Sequence, residues 1–452
     1  MGDSRSPPTL PREGNNESTI YVKLMNLLVG YSRRWRSLSL GYGIKSSRQQ
    51  ALEHLEADDV PLLETIHTGD VSLFIDLPPF HHGVPINGMP QVLQPHPSPA
   101  SNFLCKLSSL RSLHLQQGSM PSLNIPLDWA RLTELSFSFR PTIFASIASP
   151  IAVLQRIAQT CRSLVILTFR SHMSPGDSLT DPVIWSSLRE LQLTFDGPFG
   201  VYPNQPDPDP DSDSDTDQPN SDHDGPIPFL AHVKDIYSSI ITPQLLRLTL
   251  HLAEAHWRGQ VVLADNDLPF QTLVKGAPRL THLRIIGYHI LGAEALSRCL
   301  QAAPSLTTLK LEPEQAPRHW GEYGRWRLDR VIAPPADWAP KLLSSLNELG
   351  SCPQLEVLDC GWCRTEDITS ILEFVQDESR LPRLKHLRAD MGDLLAQQVH
   401  IMTSPSLLDS LNSLRAMHDI SVDLKWVEAF EPTPEPQWRM NPYSGWGGES
   451  NW

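Results

Sequence analysis

One six-residue phrase, L-x-x-L-x-L with apolar swaps, recurs along the 452-residue chain and narrows its possible folds more than any other feature. It reads LRSLHL from Leu110, LTELSF from Leu132, LVILTF from Leu164, LRELQL from Leu188 and LLRLTL from Leu245. It continues as LTHLRI from Leu280, LTTLKL from Leu306, LEVLDC from Leu355 and LKHLRA from Leu384, with WRSLSL from Trp35 as an N-terminal copy. In the x-L-x-L half, successive side chains point to opposite sides of a short strand, so the leucines share one face. A single such strand buries too little to stand alone, whereas stacked copies bury their leucines in one continuous core.

A proline stands two residues before the first leucine in five copies: Pro243, Pro278, Pro304, Pro353 and Pro382. Proline there stops a preceding helix and starts an extended segment. Helical spacing does precede it, in Ile151, Leu154, Ile157 and Ala158, in Leu296, Cys299 and Leu300, in Leu342, Leu343, Leu346 and Leu349, and in Ile368, Ile371, Leu372 and Val375. The expected fold is therefore α/β, a curved and irregular leucine-rich-repeat solenoid over residues 21–430, with a helix and a short parallel strand per repeat. First-leucine spacings of 22, 32, 24, 57, 35, 26, 49 and 29 residues place insertions in the two long gaps.

One insertion, 203–226, is rich in Asp, Pro and Ser and is expected to be disordered. It carries eight of the aspartates behind a net charge of −14 and no lysine or arginine, so the remainder holds −6. The acidity is local, and neither a nucleic-acid footprint nor a membrane partner is expected. The other insertion, 313–340, carries Trp320, Trp326 and Trp338 and is expected to fold back as a flap. Residues 1–20 and 431–452 are expected to be a disordered N-terminus and a flexible tail. Six cysteines, at 105, 161, 299, 352, 360 and 363, are too few and too scattered for a secreted disulfide framework. With no apolar signal-peptide core and no apolar run of 18 residues, a soluble cytoplasmic or nuclear monomer is expected.

The order of the phrases, together with SRRWRSLSL from Ser32, ADDVPLLETI from Ala57, PLDWARLTELSF from Pro126 and CPQLEVLDCGWC from Cys352, resembles the repeat region of the F-box/leucine-rich-repeat protein family of mushroom-type fungi. The resemblance spans roughly residues 20 to 425. It implies that the repeats hold a substrate protein while an N-terminal F-box docks on the adaptor of a cullin ubiquitin ligase. Leu10-Pro11-Arg12-Glu13 imitates the opening of that box, but Gly14, Asn15 and Asn16 follow where an apolar helix is needed. A truncated start, with the box encoded upstream of Met1, is the corresponding expectation.

Cys360-Gly-Trp-Cys363 has the C-x-x-C spacing of thiol redox centres, and a thiol oxidoreductase is the enzymatic alternative it raises. Cys360 also falls on the last apolar position of a strand phrase and Cys363 in the turn beyond it, so both thiols are expected to be structural. Asn220-Ser-Asp222-His-Asp224-Gly225 copies half of a calcium loop, but Ala231 stands where a bidentate Glu is required, and no metal site is expected. Ser212, Ser214, Thr216 and Ser221, each beside aspartates, are candidate phosphorylation sites. Met1-Gly2 with Ser6 fits a short myristoylation pattern, without the basic cluster that stable anchoring would need. No phosphate loop, nucleophile elbow or metalloprotease helix is present, so the expectation is a non-enzyme without cofactors.

Residues between the strand leucines should line a concave recognition surface. In the N-terminal copies these are small and neutral, as in Ser112, His114, Ser136, Thr168, Gln192 and Thr249. In the C-terminal copies they are His282, Arg284, Lys310, Asp359, His386 and Arg388, mainly basic and suited to an acidic or phosphorylated partner segment. The chain's own Asp-rich insertion could compete for the same stripe. The function read from the sequence is a non-catalytic protein-interaction module resembling F-box substrate receptors, with an adaptor-free repeat scaffold or inhibitor as the alternative.

Overall fold

The computed structural model describes residues 23–24, 26–40, 55–68, 75–76, 96–97, 107–117, 127–139, 150–172, 182–196, 228–252, 268–288, 291–313, 337–364, 367–376, 383–392 and 420–426. The acidic insertion with Ser212, Ser214, Thr216 and Ser221, most of the Trp-rich insertion and both terminal segments lie outside these residues.

Twelve strands form one sheet in which each lies beside its predecessor. They are β1 (Ser37–Leu40), β2 (Thr65–Thr68), β3 (Ser112–Gln117), β4 (Glu134–Phe139), β5 (Ile166–His172), β6 (Glu190–Asp196), β7 (Arg247–Leu252), β8 (His282–Ile286), β9 (Thr308–Glu312), β10 (Val357–Arg364), β11 (His386–Gly392) and β12 (Ser421–Trp426). Every pairing is parallel. Ten of the strands coincide with the recurring phrase, whereas β2 and β12 carry weaker versions of it. The architecture is a solenoid-like α/β fold built on a parallel sheet.

The leucine row keeps one register at every step, and beyond Asp359 the pairing of β10 with β11 shifts. Leu38, Ile66, Leu113, Leu135, Leu167 and Leu191 align side by side, and Leu248, Leu283, Leu309, Leu358, Leu387 and Val422 continue the row. A backbone device fixes it: the carbonyl of Arg36 accepts the N–H groups of both Glu64 and Thr65, at 2.9 and 3.0 Å. The carbonyls of Glu64, Arg111, Thr133, Val165, Arg189, Leu246, Thr281, Thr307 and Glu356 do the same for the two residues opening the next rung. Each thus uses both lone pairs, and a slip of one residue would break the pattern as well as turn the leucines outward.

The prolines do more than stop helices. Leu63, Leu245, Leu280, Leu306 and Leu355 each donate their N–H to the carbonyl three residues back, which puts Pro61, Pro243, Pro278, Pro304 and Pro353 at the second position of a β-turn. That position requires the φ that the pyrrolidine ring imposes.

Between strands run α1 (Pro150–Thr160), α2 (Pro228–Ser239), α3 (Gln271–Lys275), α4 (Ala293–Leu300), α5 (Trp338–Glu348) and α6 (Ile368–Gln376). The last five pack side by side in chain order. In α4, Leu296, Cys299 and Leu300 are buried while Glu294 and Arg298 are exposed, the stripe that the spacing predicts. Helix and strand side chains together form one apolar cluster from Leu40 to Val422. Phe169, Phe195, Tyr237 and Phe270 are consecutive ring contacts within it, with centroids 6.2, 5.7 and 6.5 Å apart. Trp338, the last tryptophan of the Trp-rich insertion, opens α5, is buried and donates its indole N–H to the Leu291 carbonyl at 2.6 Å. None of the described helices is long and apolar enough to cross a membrane.

Candidate functional site

The leucines occupy one face of the sheet, so the first, third and fifth residues of each strand occupy the other. Because the register never shifts between β1 and β9, these residues form straight rows across the strands. The middle row begins with Ser39, His67, His114 and Ser136, passes Thr168, Gln192 and Thr249, and ends with Arg284, Lys310, Asp359, Arg388 and Asp423. All six residues anticipated from the sequence lie on this open face: Arg284, Lys310, Asp359 and Arg388 in the middle row, His282 and His386 in the first.

The C-terminal stripe is nonetheless not the basic surface that those six residues suggest. Arg247 on β7 pairs with Glu190 on β6 at 2.9 Å. Arg284 on β8 makes a two-pronged contact with Glu312 on β9, its Nε donating to Oε1 at 2.9 Å and its Nη2 to Oε2. Arg388 donates to Asp390 at 3.1 Å and lies 3.8 Å from Asp359. Exposed pairs of this kind contribute only about 0–1 kcal/mol each, so their main effect is to cancel charge. Asp359 is 8% exposed and already occupied, since its carboxylate accepts the N–H of Gly361 at 3.1 Å. Burial pushes its pKa up, opposed by that hydrogen bond and by Arg388. Lys310, exposed between Arg284 and Asp359, has no carboxylate partner among the described residues.

Gly361 explains why Asp359 turns inward. A bulge between Asp359 and Trp362 puts two residues of β10 opposite one of β11, and Gly361 there has φ +67°. A Cβ at this position would stand 2.4 Å from the Leu311 carbonyl oxygen and 2.7 Å from the Tyr288 ring, so only glycine fits.

At the other end of the face the register assembles a polar cluster that the sequence reading did not isolate. His67 and His114 stack with ring centroids 4.0 Å apart and planes inclined by 15°. Ser112 Oγ lies 2.9 Å from His114 Nε2 and donates to Glu134 Oε2 at 2.9 Å. With the hydroxyl proton given to the carboxylate, His114 Nε2 must carry the hydrogen that reaches Ser112. Glu134 sits at the same ring edge, 3.6 Å from Nε2. A nucleophilic serine needs an unprotonated Nε2 and a carboxylate on the far nitrogen, so the hydrogen-bond arrangement here is not that of a hydrolytic triad. His67 was hidden because Thr68 replaces a leucine in its phrase, although Pro61, two residues before Leu63, keeps the frame of the other rungs.

Cys360 and Cys363 are both fully buried. Burial pushes the Cys360 thiol up to about 12 and the Cys363 thiol well above its usual value. Thiol exchange needs an accessible thiolate, so this pair opposes the oxidoreductase alternative. Among the described residues no cluster of His, Cys, Asp or Glu could hold a metal ion.

No protein-family profile and no curated protein matches the chain. Among solved structures, a chain in the crystal structure of the Rad7 and Elc1 complex in yeast aligns over 84% of this chain and 88% of its own length, at 13% identity and a TM-score of 0.32.

Proposed function

We propose that the chain is a leucine-rich-repeat protein that acts by binding another protein across the open face of its sheet. This is the role that substrate-recognition repeats play in the F-box ubiquitin-ligase receptors its sequence resembles. The supporting observation is the face itself: twelve parallel strands align a row of polar side chains, among them His67, His114, Gln192, Thr249 and Lys310, on the face opposite the buried leucines. A sheet with one face in the core and the other bare offers a broad, preformed surface, and loss of ordering entropy on binding is small for side chains already held by strands.

Blocking the centre of the face tests this reading. The double variant Gln192→Arg, Thr249→Arg adds two long side chains on β6 and β7 without touching the leucine rows. Proteins captured from cell extract by the wild-type chain should be lost by this variant, while the far-side control Arg298→Glu retains them. An unchanged set of captured proteins would remove the open face from the function. Retrieval of a cullin-ligase adaptor with the same bait would identify a substrate receptor, and its absence from every preparation would favour the adaptor-free scaffold.

A further inference from the structure

We propose that the open face carries a discrete acceptor for an acidic peptide segment of a partner protein, centred on Lys310 and flanked by His282 and Arg247. The proposal rests on the protein-binding reading above and names the chemistry of the partner.

The argument is one of charge accounting over the neighbouring strands β7 to β11. Of the cations there whose side chains are described, Arg247, Arg284 and Arg388 each have a carboxylate. Lys310 has none among the described residues, although Asp359 lies directly opposite it in register. Two local facts deprive it of a partner. Asp359 is drawn into the bulge by the Gly361 N–H and faces Arg388, and Glu312 at the end of the lysine's own strand is taken by Arg284. The first deflection is built into the backbone bulge and the second is a two-pronged side-chain contact, and together they leave the Lys310 charge exposed.

His282 reports the resulting potential. Its imidazole is held below the usual histidine range by desolvation first, then by Arg247 and Lys310, with Glu190 opposing them. Two cations on the strands either side thus act on one ring, opposed by Glu190. Adjacent strands are about 5 Å apart and successive rows about 7 Å, so a carboxylate over His282 is within reach of the Lys310 and Arg247 side chains together. An extended segment with acidic groups at alternate residues would match the row spacing and seat one group here. Arg284 and Arg388, two of the six residues that the sequence places on this stripe, already face carboxylates, as Arg247 faces Glu190, and would contribute less than Lys310.

The probe is a fluorescein-labelled peptide of alternating Asp and Ser, titrated by anisotropy against the intact chain, with a Lys-Ser peptide as control. The acidic peptide should bind and weaken with added salt. Lys310→Glu should reduce affinity by about tenfold or more, the value of one charge-assisted contact, while Arg388→Glu stays within about twofold. Equal losses from both variants would show a diffuse field and overturn the site. So would equal binding of the Lys-Ser peptide, or no effect of Lys310→Glu. If the probe bound only after residues 205–226 were deleted, the occupant would be the chain's own acidic segment and the intermolecular assignment would fall. Should Gln192→Arg, Thr249→Arg abolish capture of partners while Lys310→Glu leaves both capture and peptide binding intact, the protein-binding face would stand and only the acidic acceptor would be lost.

Discussion

Gly361 and Gly350 both have positive φ but only one is crowded, which separates two costs at single residues. Nothing lies within 4 Å of a Cβ built on Gly350, whereas one on Gly361 meets backbone and a tyrosine ring. Gly350→Ala should cost about 1 kcal/mol, the left-handed penalty alone. Gly361→Ala should exceed it by about 1–3 kcal/mol through overpacking, and the comparison of urea midpoints checks the difference. The histidines set a pH dependence. Desolvation, followed by His67, lowers the pKa of His114, and desolvation with Arg247 and Lys310 lowers that of His282. The unfolded chain therefore takes up protons first as pH falls, so the contribution of both residues is complete above about 6.5 and declines below it. Unfolding midpoints should drop between pH 7.5 and pH 5, and His114→Gln should flatten that slope. A His114→Gln profile as steep as the wild type would show that the stacked pair is uninvolved.

The strand with its turn is the unit at the next scale. Leu309 lies in the shared leucine row, is fully buried and has neighbours on both β8 and β10. Leu309→Ala should cost about 2–5 kcal/mol. In a nearest-neighbour solenoid the loss should spread to adjacent rungs, lowering hydrogen-exchange protection in β8 and β10 while leaving β3 unchanged. Ten of the twelve strands were legible from the phrase because leucine burial is local in sequence. The second rung escaped because Thr68 takes a leucine's place, and the last because Val422 follows no proline-marked leucine. The helices α2 and α3 were also not read, the second being only five residues long. The candidate site was legible in position but not in charge. Alternation placed Arg284, Lys310 and Arg388 on the open side, yet the Arg284 partner, Glu312, lies 28 residues away and becomes a neighbour only through the register. Likewise nothing in the string LDCGWC announces that Gly361 will turn Asp359 away from Lys310.

Across the whole molecule, parallel strands sharing one leucine row repeat from β1 to β12, and the chemistry of the open face changes along them. The rows grade from stacked imidazoles and hydroxyls on β2 to β4 into a mixed ionic field on β7 to β11. Opposite ends of one surface thus differ in what they can hold, which suits a partner lying along the sheet rather than a compact ligand in a cleft.

Parallel strands also sort the connections by side. Each described helix-to-strand link is short, from Thr160 to Ile166, Ser239 to Arg247, Lys275 to His282, Leu300 to Thr308 and Glu348 to Val357. The long stretches instead begin where strands finish, at Asp196, Glu312 and Gly392. One border of the ribbon is tied by proline turns and shared carbonyls, while the long insertions of this chain enter from the opposite border. That second border is where a reporter or fused domain could be grafted, and where this chain has room to acquire new parts.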